Sequence, residues 1–482
     1  MTYDAIFDEA FRSQPQEHSL EITSVEGTVP GDVDGTFLAN IPALLKVGND
    51  ELHFFDGHGM IAGVKLSGGK ARFQSRFVKT PVYLEEVAAG RQTRRRVFTN
   101  HPSRLKNVFN LKFANPASHD VYVWRGKIHA TGDSAHFQLD PRSYDTVGQE
   151  RWGLPEKHQM CLMPRRDEHA RRLVCFSIKP GPPVDEVTFF ELDEQGAAHH
   201  HVSTRMRAAP AFIHDHAFSE HHYVVVENPV KMNLGAALLG TRPTYLGFAW
   251  QEGQAPALHI LPRGKGAPAP RRVDLPAHVR TVFHIINAYE ADGKLVVELP
   301  AVLAPVRFHA LYPRKHRESM GLQPEGELKN VVLRCIVDVE SGALQTEELG
   351  SMLGDQPEVN GAWHGKKARH AYLRTPASDG SEPDPSALLW WHGLTHLDLD
   401  SGAHQTWSAG AMRFCGPPSF APRQGATEED DGYLLAHVLD ARRKTTDVVI
   451  LDARDVKKGP VATLHLGQQL PGPSHNAFYP GL

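Results

Sequence analysis

Short β-like segments joined by aspartate-containing turns recur along this 482-residue chain, and this repeat constrains the fold more than any other feature. Each unit is typical of strand, turn and strand, because β-branched or aromatic runs flank Asp/Gly turns. The turn aspartates are separated by 53, 145, 60 and 54 residues: Asp140, Asp193, Asp338, Asp398 and Asp452. The longest interval leaves room for two more units. Small antiparallel sheets at this period indicate a β-propeller, so we predict an all-β fold of about seven blades.

Helical patterns are scarce, and the two candidates are residues 4–13 and part of residues 230–239. We expect them to be excursions from the sheets that, with loops, cap the propeller axis. The 35 prolines and 41 glycines are spread along the chain and mark no linker. A single propeller domain covering residues 1–482 is therefore predicted.

The composition restricts the class of partner. The chain has 52 basic and 56 acidic residues and a formal charge of −4, which argues against a nucleic-acid-binding footprint or a polybasic membrane surface. Residues 1–15 lack the pattern of a secretory signal, and no run of about 18 apolar residues occurs. We expect a cytoplasmic protein with a small-molecule ligand. Four cysteines without paired spacing are expected to be reduced core residues: Cys161, Cys175, Cys335 and Cys415.

Three of the 29 histidines stand in similar contexts, at the end of a β-like run or in a polar turn. They are His214, His284 and His475, separated by 70 and 191 residues. Strand ends meet near the axis of a propeller, so a centrally organised fold would bring the three together, and together they would hold a metal. The alternative is that they are hydrogen-bonded structural histidines. The remaining grouped histidines are expected in hairpins or loops: His199, His200, His201, His221 and His222.

Several sequence blocks, in order along nearly the whole chain, resemble the carotenoid cleavage oxygenases, a family that includes lignostilbene dioxygenases and isoeugenol-cleaving enzymes. The blocks are DGTFLANIPAL at 34–44, the FDGHGM-containing stretch at 52–80, FIHDHAFSEHHYVVVENP at 212–229, FHIINAYEADG at 283–293, FAPRQGATEEDDGYLL at 420–435, and the stretch at 448–478 that ends in GPSHNAF. The resemblance implies a seven-bladed propeller with a non-haem Fe(II) ion on its axis, held by four histidines.

His214, His284 and His475 match three of those ligands, and the fourth position differs. The stretch LMPRRDEHARRLVCF at 162–176 resembles the block that carries the family's first histidine, and it places Met163 there. A thioether suits Cu(I) better than Fe(II), so we expect Met163 to fill space and the metal to keep three histidines. His158 would replace it only if the strand were rearranged, because an offset of five residues points a side chain to the opposite face.

The resemblance also implies glutamates that support the ligating histidines, and these positions have changed. They correspond to Gly132, Asp355 and Pro417, of which only Asp355 keeps a carboxylate, while Asp133 would partly replace what Gly132 lacks. One interpretation is a decayed site, and the other is a retained metal with more open coordination positions. We favour the second, because three imidazoles are enough to hold a divalent metal.

Family membership implies cleavage of the C=C bond of an apolar conjugated or aryl alkene with O2. Stilbene-cleaving relatives use a lysine whose position falls near Thr131, which argues against a 4-hydroxystilbene. The apolar stretch at residues 233–250 is either a tunnel mouth, with peripheral membrane contact, or an ordinary buried helix and strand. Two alternatives to an Fe(II) oxygenase stay open: a metal-dependent isomerase or lyase without O2 chemistry, and a non-enzymatic protein that binds an apolar ligand.

Overall fold

Seven antiparallel sheets of four to six strands make up most of the molecule. The computed structural model describes residues 8–181, 184–207, 211–264, 269–303, 330–351, 354–376 and 391–482. We number the sheets as blades 1 to 7. The predicted all-β, seven-bladed propeller is confirmed.

The first four blades contain four or five strands each. Blade 1 contains His18–Glu21, Gly35–Leu44, His58–Ser67, Lys70–Phe77 and His475–Pro480. Blade 2 contains Val121–Trp124, Lys127–Ala130, His136–Leu139 and Thr146–Glu150. Blade 3 contains Gln159–Met160, Arg165–Asp167, Arg172–Lys179, Glu186–Leu192 and Ala198–Arg205. Blade 4 contains His216–Phe218, His222–Glu227, Ala257–Pro262 and Arg271–Asp274.

The remaining blades follow the same antiparallel plan. Blade 5 contains Asn287–Ala291, Lys294–Val302, Asn330–Val337 and Leu344–Ser351. Blade 6 contains Asp355–Glu358, His370–Thr375, Gly393–Asp398 and His404–Ser408. Blade 7 contains Val25–Gly27, Arg413–Cys415, Ser419–Pro422, Gly432–Asp440, Thr445–Asp452 and Pro460–His465. Two further strand pairs lie outside the blades: Lys46–Val47 with Asp50–Glu51, and Val230–Met232 with Phe248–Trp250.

The two ends of the chain close the ring of blades. The strand His475–Pro480 pairs with Gly35–Leu44 in blade 1, and Val25–Gly27 pairs with Pro460–His465 in blade 7. Each of these two blades therefore contains strands from both ends of the chain. Radial closure of this kind protects sheet edges. It also places His475 at the start of the closing strand, opposite Asn40.

The repeated turn aspartates occupy one structural position, the turn that leads to the last strand of a blade. The Oδ1 atom of each accepts a hydrogen bond from an amide of its own turn, as Asx turns do. This holds for Asp140, Asp193, Asp338, Asp398 and Asp452. The sequence repeat therefore reflects a true repeat of the hairpin that ends blades 2, 3, 5, 6 and 7.

The core lies between neighbouring blades. Central strands are covered on both faces, and all nine residues of Gly432–Asp440 are buried, whereas Ala198–Arg205 at the edge of blade 3 is largely exposed. Apolar residues of adjacent blades interdigitate, so the position of each blade fixes that of the next. The four cysteines are buried and free, as predicted.

Helices occur only as short excursions in the described chain. The α-helices are Pro81–Ala89 and Leu234–Leu239, with 3₁₀ turns at Arg104–Lys106, Thr244–Gly247, Gly361–Trp363 and Val456–Lys458. The second α-helix lies within the predicted 230–239 segment. Residues 8–10 of the other predicted helix are helical, and residues 4–7 lie outside the described chain. None of the described helices is long and apolar enough to cross a membrane.

The helix Pro81–Ala89 has well-defined ends. Thr80 caps its first turn by accepting a hydrogen bond from the amide of Tyr83 at 3.1 Å, and proline occupies the first helical position. Gly90 ends it with φ of 60°, the left-handed conformation that glycine adopts easily. The helix is short, and its buried residue Glu86 ties it to the propeller.

Candidate metal centre

Four histidines from four different blades converge on one point. His119 precedes Val121–Trp124 in blade 2, His214 precedes His216–Phe218 in blade 4, His284 precedes Asn287–Ala291 in blade 5, and His475 begins the closing strand of blade 1. Each therefore lies within three residues of the start of a strand that forms one end of its sheet. Equivalent strands of a propeller face the axis, so side chains at their starts meet there.

The imidazole rings are in mutual contact. Ring centroids lie 4.8 Å apart for His119 and His475, 5.0 Å for His119 and His214, 4.8 Å for His214 and His284, and 5.3 Å for His284 and His475. The nearest ring nitrogens of His119, His214 and His475 all lie within 4.8 Å of one another. The three histidines selected from the sequence do come together, and a fourth joins them.

The structure differs from the expectation of three histidines with Met163 in the fourth place, because a fourth imidazole joins the cluster. The fourth imidazole is present, but it is supplied by His119 of blade 2, and Met163 lies in the wall of an adjoining cavity. Adjacent blades present equivalent strand starts to the axis, so a ligand position can be filled from the neighbouring blade. His158 lies in the turn before Gln159–Met160, and no contact among the described residues joins it to the cluster.

The segment that carries His119 is fixed by buried hydrogen bonds. The amide of His119 donates to the carbonyl of Thr131 at 3.3 Å, and the amide of Asp120 donates to Oγ1 of Thr131 at 2.8 Å. Asn40 Nδ2 donates to the carbonyls of Ala117 and Asp120 at 3.1 and 2.8 Å. Thr131 and Asn40 are fully buried. Thr131 therefore orients the loop of His119.

An ion pair joins the segments that carry His214 and His284. Arg165 Nη2 lies 2.7 Å from Oδ2 of Asp215, the residue after His214. The same Oδ2 atom accepts a hydrogen bond from the amide of Ile285 at 2.9 Å, and Arg165 donates to the carbonyl of Ile285 at 2.6 Å. Asp215 is buried and Arg165 nearly so, so this contact holds the two histidines in a fixed relation.

Asp355 supports one of the four imidazoles. Its Oδ1 lies 2.9 Å from Nδ1 of His284, which fixes the ring and leaves Nε2 directed away from the carboxylate. Burial lowers the pKa of His284, but the charge and hydrogen bond of Asp355 outweigh it, so the pKa is raised. Asp355 thus occupies the supporting role that the sequence assigned to it.

The other two expected supports are absent, and the structure shows what fills their space. A Cβ atom on Gly132 would lie 1.9 Å from Oδ1 of Asn115, so Asn115 occupies the place of a larger side chain. Pro417 lines the cavity, and its carbonyl accepts a hydrogen bond from Asn476 at 2.8 Å. Within the described chain, the carboxyl group of Asp133 makes no hydrogen bond or ion pair with the four histidines, so it does not take over the supporting role expected at Gly132.

The cluster has the donor chemistry that a divalent transition metal needs, and the ring nitrogens of His119, His214 and His475 are close enough to share one ion. Burial lowers the pKa of His214 to about 4 and those of His119 and His475 well below the usual range, so these three imidazoles are neutral at neutral pH. Nδ1 of His119 and Nε2 of His284 are buried and have no hydrogen-bond partner among the described residues. Neutral imidazoles with free ring nitrogens are donors that Fe, Zn, Cu and Ni accept.

A cavity of about 700 Å³ opens onto the cluster. His284 and His475 form part of its wall, together with apolar side chains such as Ile286, Phe420 and Phe478. The volume is in the range of small-molecule sites, and the cavity gives a ligand direct access to His284 and His475.

The histidines expected in hairpins and loops lie away from this centre. His199 pairs with the turn residue Asp193 at 2.8 Å, and His222 lies 3.0 Å from Glu290. His221 is 65 % exposed. Among the described residues, none of them belongs to the group that could hold a metal, which is His119, His214 and His475.

Comparison with known proteins assigns the chain and its fold to a family. The model of the retinal pigment epithelial membrane protein family matches residues 11–480. The chain belongs to this family. This confirms the family indicated by the sequence blocks, that of the carotenoid cleavage oxygenases.

The relatives span almost the whole chain. Apocarotenoid-15,15′-oxygenase of Synechocystis sp. is 31 % identical over 97 % of this chain and 95 % of its own length. Isoeugenol monooxygenase of Pseudomonas nitroreducens is 25 % identical, covering 96 % and 95 %. Lignostilbene-α,β-dioxygenase isozyme III of Sphingomonas paucimobilis is 24 % identical, covering 92 % and 90 %. The cobalt-substituted Synechocystis apocarotenoid oxygenase superposes with a TM-score of 0.88 at 28 % identity, covering 98 % of each chain. An enzyme of the oxygenase type is confirmed at this level.

Proposed function

We propose that this chain is a non-haem iron oxygenase that acts with O2 on the C=C bond of an apolar conjugated or aryl alkene. The observation that carries the proposal is the convergence of four imidazoles beside a cavity on the axis of a carotenoid-oxygenase-type propeller. The Synechocystis, Pseudomonas and Sphingomonas relatives are all oxygenases by name, which supports the same reaction class. We further propose that residues 1–482 form one functional domain.

In this proposal Fe(II) is held by His119, His214, His284 and His475. Iron, when bound, supplies the activation of O2 that no amino-acid side chain provides. The protein contributes the rest: the three neutral imidazoles bind without losing a proton, and Asp355 fixes the orientation of His284. The apolar wall orients the alkene and excludes water from the reacting double bond.

The test is O2 consumption by the iron-loaded protein. We expect uptake of O2 that matches the loss of alkene in a panel of apocarotenals, propenylphenols and stilbenes, and no uptake by metal-free protein or by the variant His214→Ala. An inert iron-loaded protein across the panel would contradict the proposal. Turnover without O2 would instead identify an isomerase or lyase, and a metal-free protein that carries an extracted apolar molecule would identify a binding protein.

We also propose that an exposed apolar patch contacts a lipid surface, from which an apolar substrate would enter. The stretch at 233–250 divides into two parts: Leu234 and Leu239 are 50 % and 56 % exposed, whereas Tyr245 is fully buried. The helix Leu234–Leu239 adjoins a loop with further exposed apolar side chains, since the amide of Phe109 donates to the carbonyl of Leu238. The apolar patch comprises Leu105, Val108, Phe109, Leu111, Leu234 and Leu239.

Charge favours a membrane as the occupant of the apolar patch. Arg104, Lys106 and Lys112 are exposed and alternate with Leu105, the most exposed apolar side chain at 86 %, and its neighbours. Basic residues interleaved with exposed apolar ones are typical of surfaces that bind anionic lipid headgroups while inserting apolar side chains.

The double variant Leu105→Asp, Phe109→Asp should bind vesicles of phosphatidylglycerol and phosphatidylcholine at least about 10-fold more weakly, because two apolar side chains no longer enter the bilayer. Vesicle flotation measures this. The matched control is Val147→Asp, Val461→Asp, which changes exposed valines in the strands Thr146–Glu150 and Pro460–His465 and should bind like the wild type. Equal binding by the wild type and both variants would rule out the apolar patch as the contact.

A further inference from the structure

The cavity beside the four histidines has a wall of mixed polar and apolar side chains that includes carboxyl groups. Four of them line it: Asp120, Glu168, Asp215 and Glu358. Two are neutralised by arginine, since Asp215 pairs with Arg165 at 2.7 Å and Glu168 pairs with Arg166 at 3.1 Å. The other two differ from these.

Within the described chain, neither Asp120 nor Glu358 has a lysine, arginine or histidine at ion-pair distance. Glu358 accepts one hydrogen bond, from the amide of Phe420 to Oε1 at 3.2 Å. Asp120 is only 9 % exposed. Withdrawing a carboxyl group from water is costly unless a partner supplies a hydrogen-bond donor. Because no described side chain supplies one to Glu358, the donor is expected from the ligand.

The backbone is shaped to direct Glu358 into the cavity. Asp355 and Glu358 lie at the two ends of one short strand, and in a regular strand side chains three residues apart point to opposite faces. The pairing register shifts between them, and Gln356 has φ of 49°. Bulges of this kind redirect a side chain and are common next to active sites. Because of the bulge, one strand directs the side chain of Asp355 toward His284 and that of Glu358 toward the cavity.

The bulge itself is anchored to the histidine cluster. Gln356 Nε2 donates to the carbonyl of Ser474 at 2.9 Å, and Gln356 Oε1 accepts from Arg374 at 2.6 Å. Ser474 immediately precedes His475, so the position of Glu358 is tied to that of a candidate ligand. A fixed carboxyl group at a fixed place relative to the metal centre is what selection among substrates requires.

We propose that Glu358 determines substrate specificity by accepting a hydrogen bond from a hydroxyl group of the alkene. This inference rests on the proposed function and narrows its substrate class to hydroxyl-bearing alkenes, either phenols or primary alcohols. A hydroxyl group suits the site better than an ammonium group, because a buried ammonium would carry its own large desolvation cost. Burial raises the pKa of Glu358 to about 7, although the Phe420 amide and Arg165 act to lower it. A neutral donor is therefore sufficient.

The test measures equilibrium binding of probes to the iron-loaded protein without O2. Tryptophan fluorescence reports the binding. Two matched pairs of probes separate the two sources of a hydroxyl group: 4-propenylphenol with its methyl ether, and retinol with its methyl ether. We expect the wild type to bind the hydroxyl form about 10–100-fold more tightly than the ether in at least one pair, as a hydrogen bond to a carboxyl group predicts.

The variants assign this preference to one side chain. Glu358→Leu should reduce the ratio of the hydroxyl-form affinity to the ether affinity to about one. Glu358→Gln should keep part of the preference for the hydroxyl form, because the amide oxygen still accepts a hydrogen bond. The control Glu168→Gln changes a cavity carboxylate that is already paired and 41 % exposed, and it should keep the wild-type ratio. Thermal unfolding of each variant verifies that it is folded.

Three results would overturn the inference. They are a wild-type ratio of hydroxyl to ether affinity near one in both pairs, failure of all four probes to bind, and an unchanged affinity ratio in Glu358→Leu. Because no turnover is measured, the outcome is independent of the oxygenase test. A protein that consumes O2 with alkenes but binds ethers and alcohols equally would keep the proposed function and lose this specificity.

Discussion

Replacing His119 with alanine should remove most of the iron that the protein retains after anaerobic loading, whereas Met163→Leu should leave the iron content unchanged. The ring of His119 is in contact with those of His214 and His475, and Met163 belongs to the cavity wall. Loss of a residue that merely supports a ligand typically lowers metal affinity roughly 10–100-fold, so loss of a ligand should cost at least as much. Elemental analysis after gel filtration and competition with a chelator measure this effect.

The controls separate a ligand from a general disturbance. His214→Ala should lose iron to the same extent as His119→Ala. His221→Ala changes an exposed histidine in the next turn of the same segment and should retain the wild-type content. Met163→His should bring no gain, because the fourth imidazole is already present. Full iron content in His119→Ala, combined with loss in Met163→Leu, would restore Met163 as the fourth ligand.

A second large effect is expected at Glu86, which is not a member of the histidine cluster. Glu86→Gln should lower the free energy of unfolding by about 3–5 kcal/mol, the usual cost of removing one partner of a buried ion pair. Glu86 and Arg96 are both fully buried, with Oε1 of the glutamate 3.1 Å from Nη1 of the arginine. The same carboxylate contacts Nε2 of His58 at 2.8 Å and accepts from the amide of Thr93 at 2.8 Å. Urea denaturation measures the loss.

The matched control is the adjacent residue. Glu85 is 42 % exposed and pairs with Arg94, so Glu85→Gln should change the free energy of unfolding by no more than about 1 kcal/mol. Similar losses in the two variants would contradict a specific role for the buried pair.

The same pair gives stability a defined pH dependence. Burial raises the pKa of Glu86, but His58 and Arg96 outweigh it and hold the pKa at about 2. Because the folded-state pKa is depressed, this contribution to stability is present above the unfolded value of 4.5 and is lost as the pH falls toward 2. Glu86→Gln should therefore flatten the acid limb of the stability curve. His58 belongs to the FDGHGM block, so this part of the family signature supports the fold in this protein.

The sequence predicted the propeller because the features that carry it are local. Each turn aspartate accepts hydrogen bonds from amides of its own turn, so the repeat can be recognised in the sequence without knowledge of tertiary contacts. His214, His284 and His475 were also predictable, since each lies at the start of a strand and such starts meet at the axis.

His119 carries the same signal, two residues before the strand Val121–Trp124, yet the resemblance between blocks pointed to Met163. A resemblance within one block tests only the blade to which that block belongs. It does not show that the neighbouring blade presents an equivalent strand start to the same point. The space that Asn115 occupies beside Gly132, and the bulge at Gln356, likewise depend on tertiary packing and backbone conformation.

The apolar patch was also only partly predictable from the sequence. The stretch at 233–250 was recognisable as apolar, but its exposed part is only the helix Leu234–Leu239, and the most exposed apolar side chain of the patch, Leu105, lies well over a hundred residues earlier in the chain. The residues of a surface that is formed by segments distant in sequence can be identified only once the fold is known.

The most direct measurement of the central claim is iron K-edge X-ray absorption of the anaerobically loaded wild-type protein. We predict one iron per chain with imidazole scattering from four histidines and no sulfur in the coordination shell, and a loss of imidazole scattering in whatever iron His119→Ala retains. A sulfur scatterer at the iron, or a spectrum that is identical in the wild type and His119→Ala, would contradict the assignment of His119 as the fourth ligand.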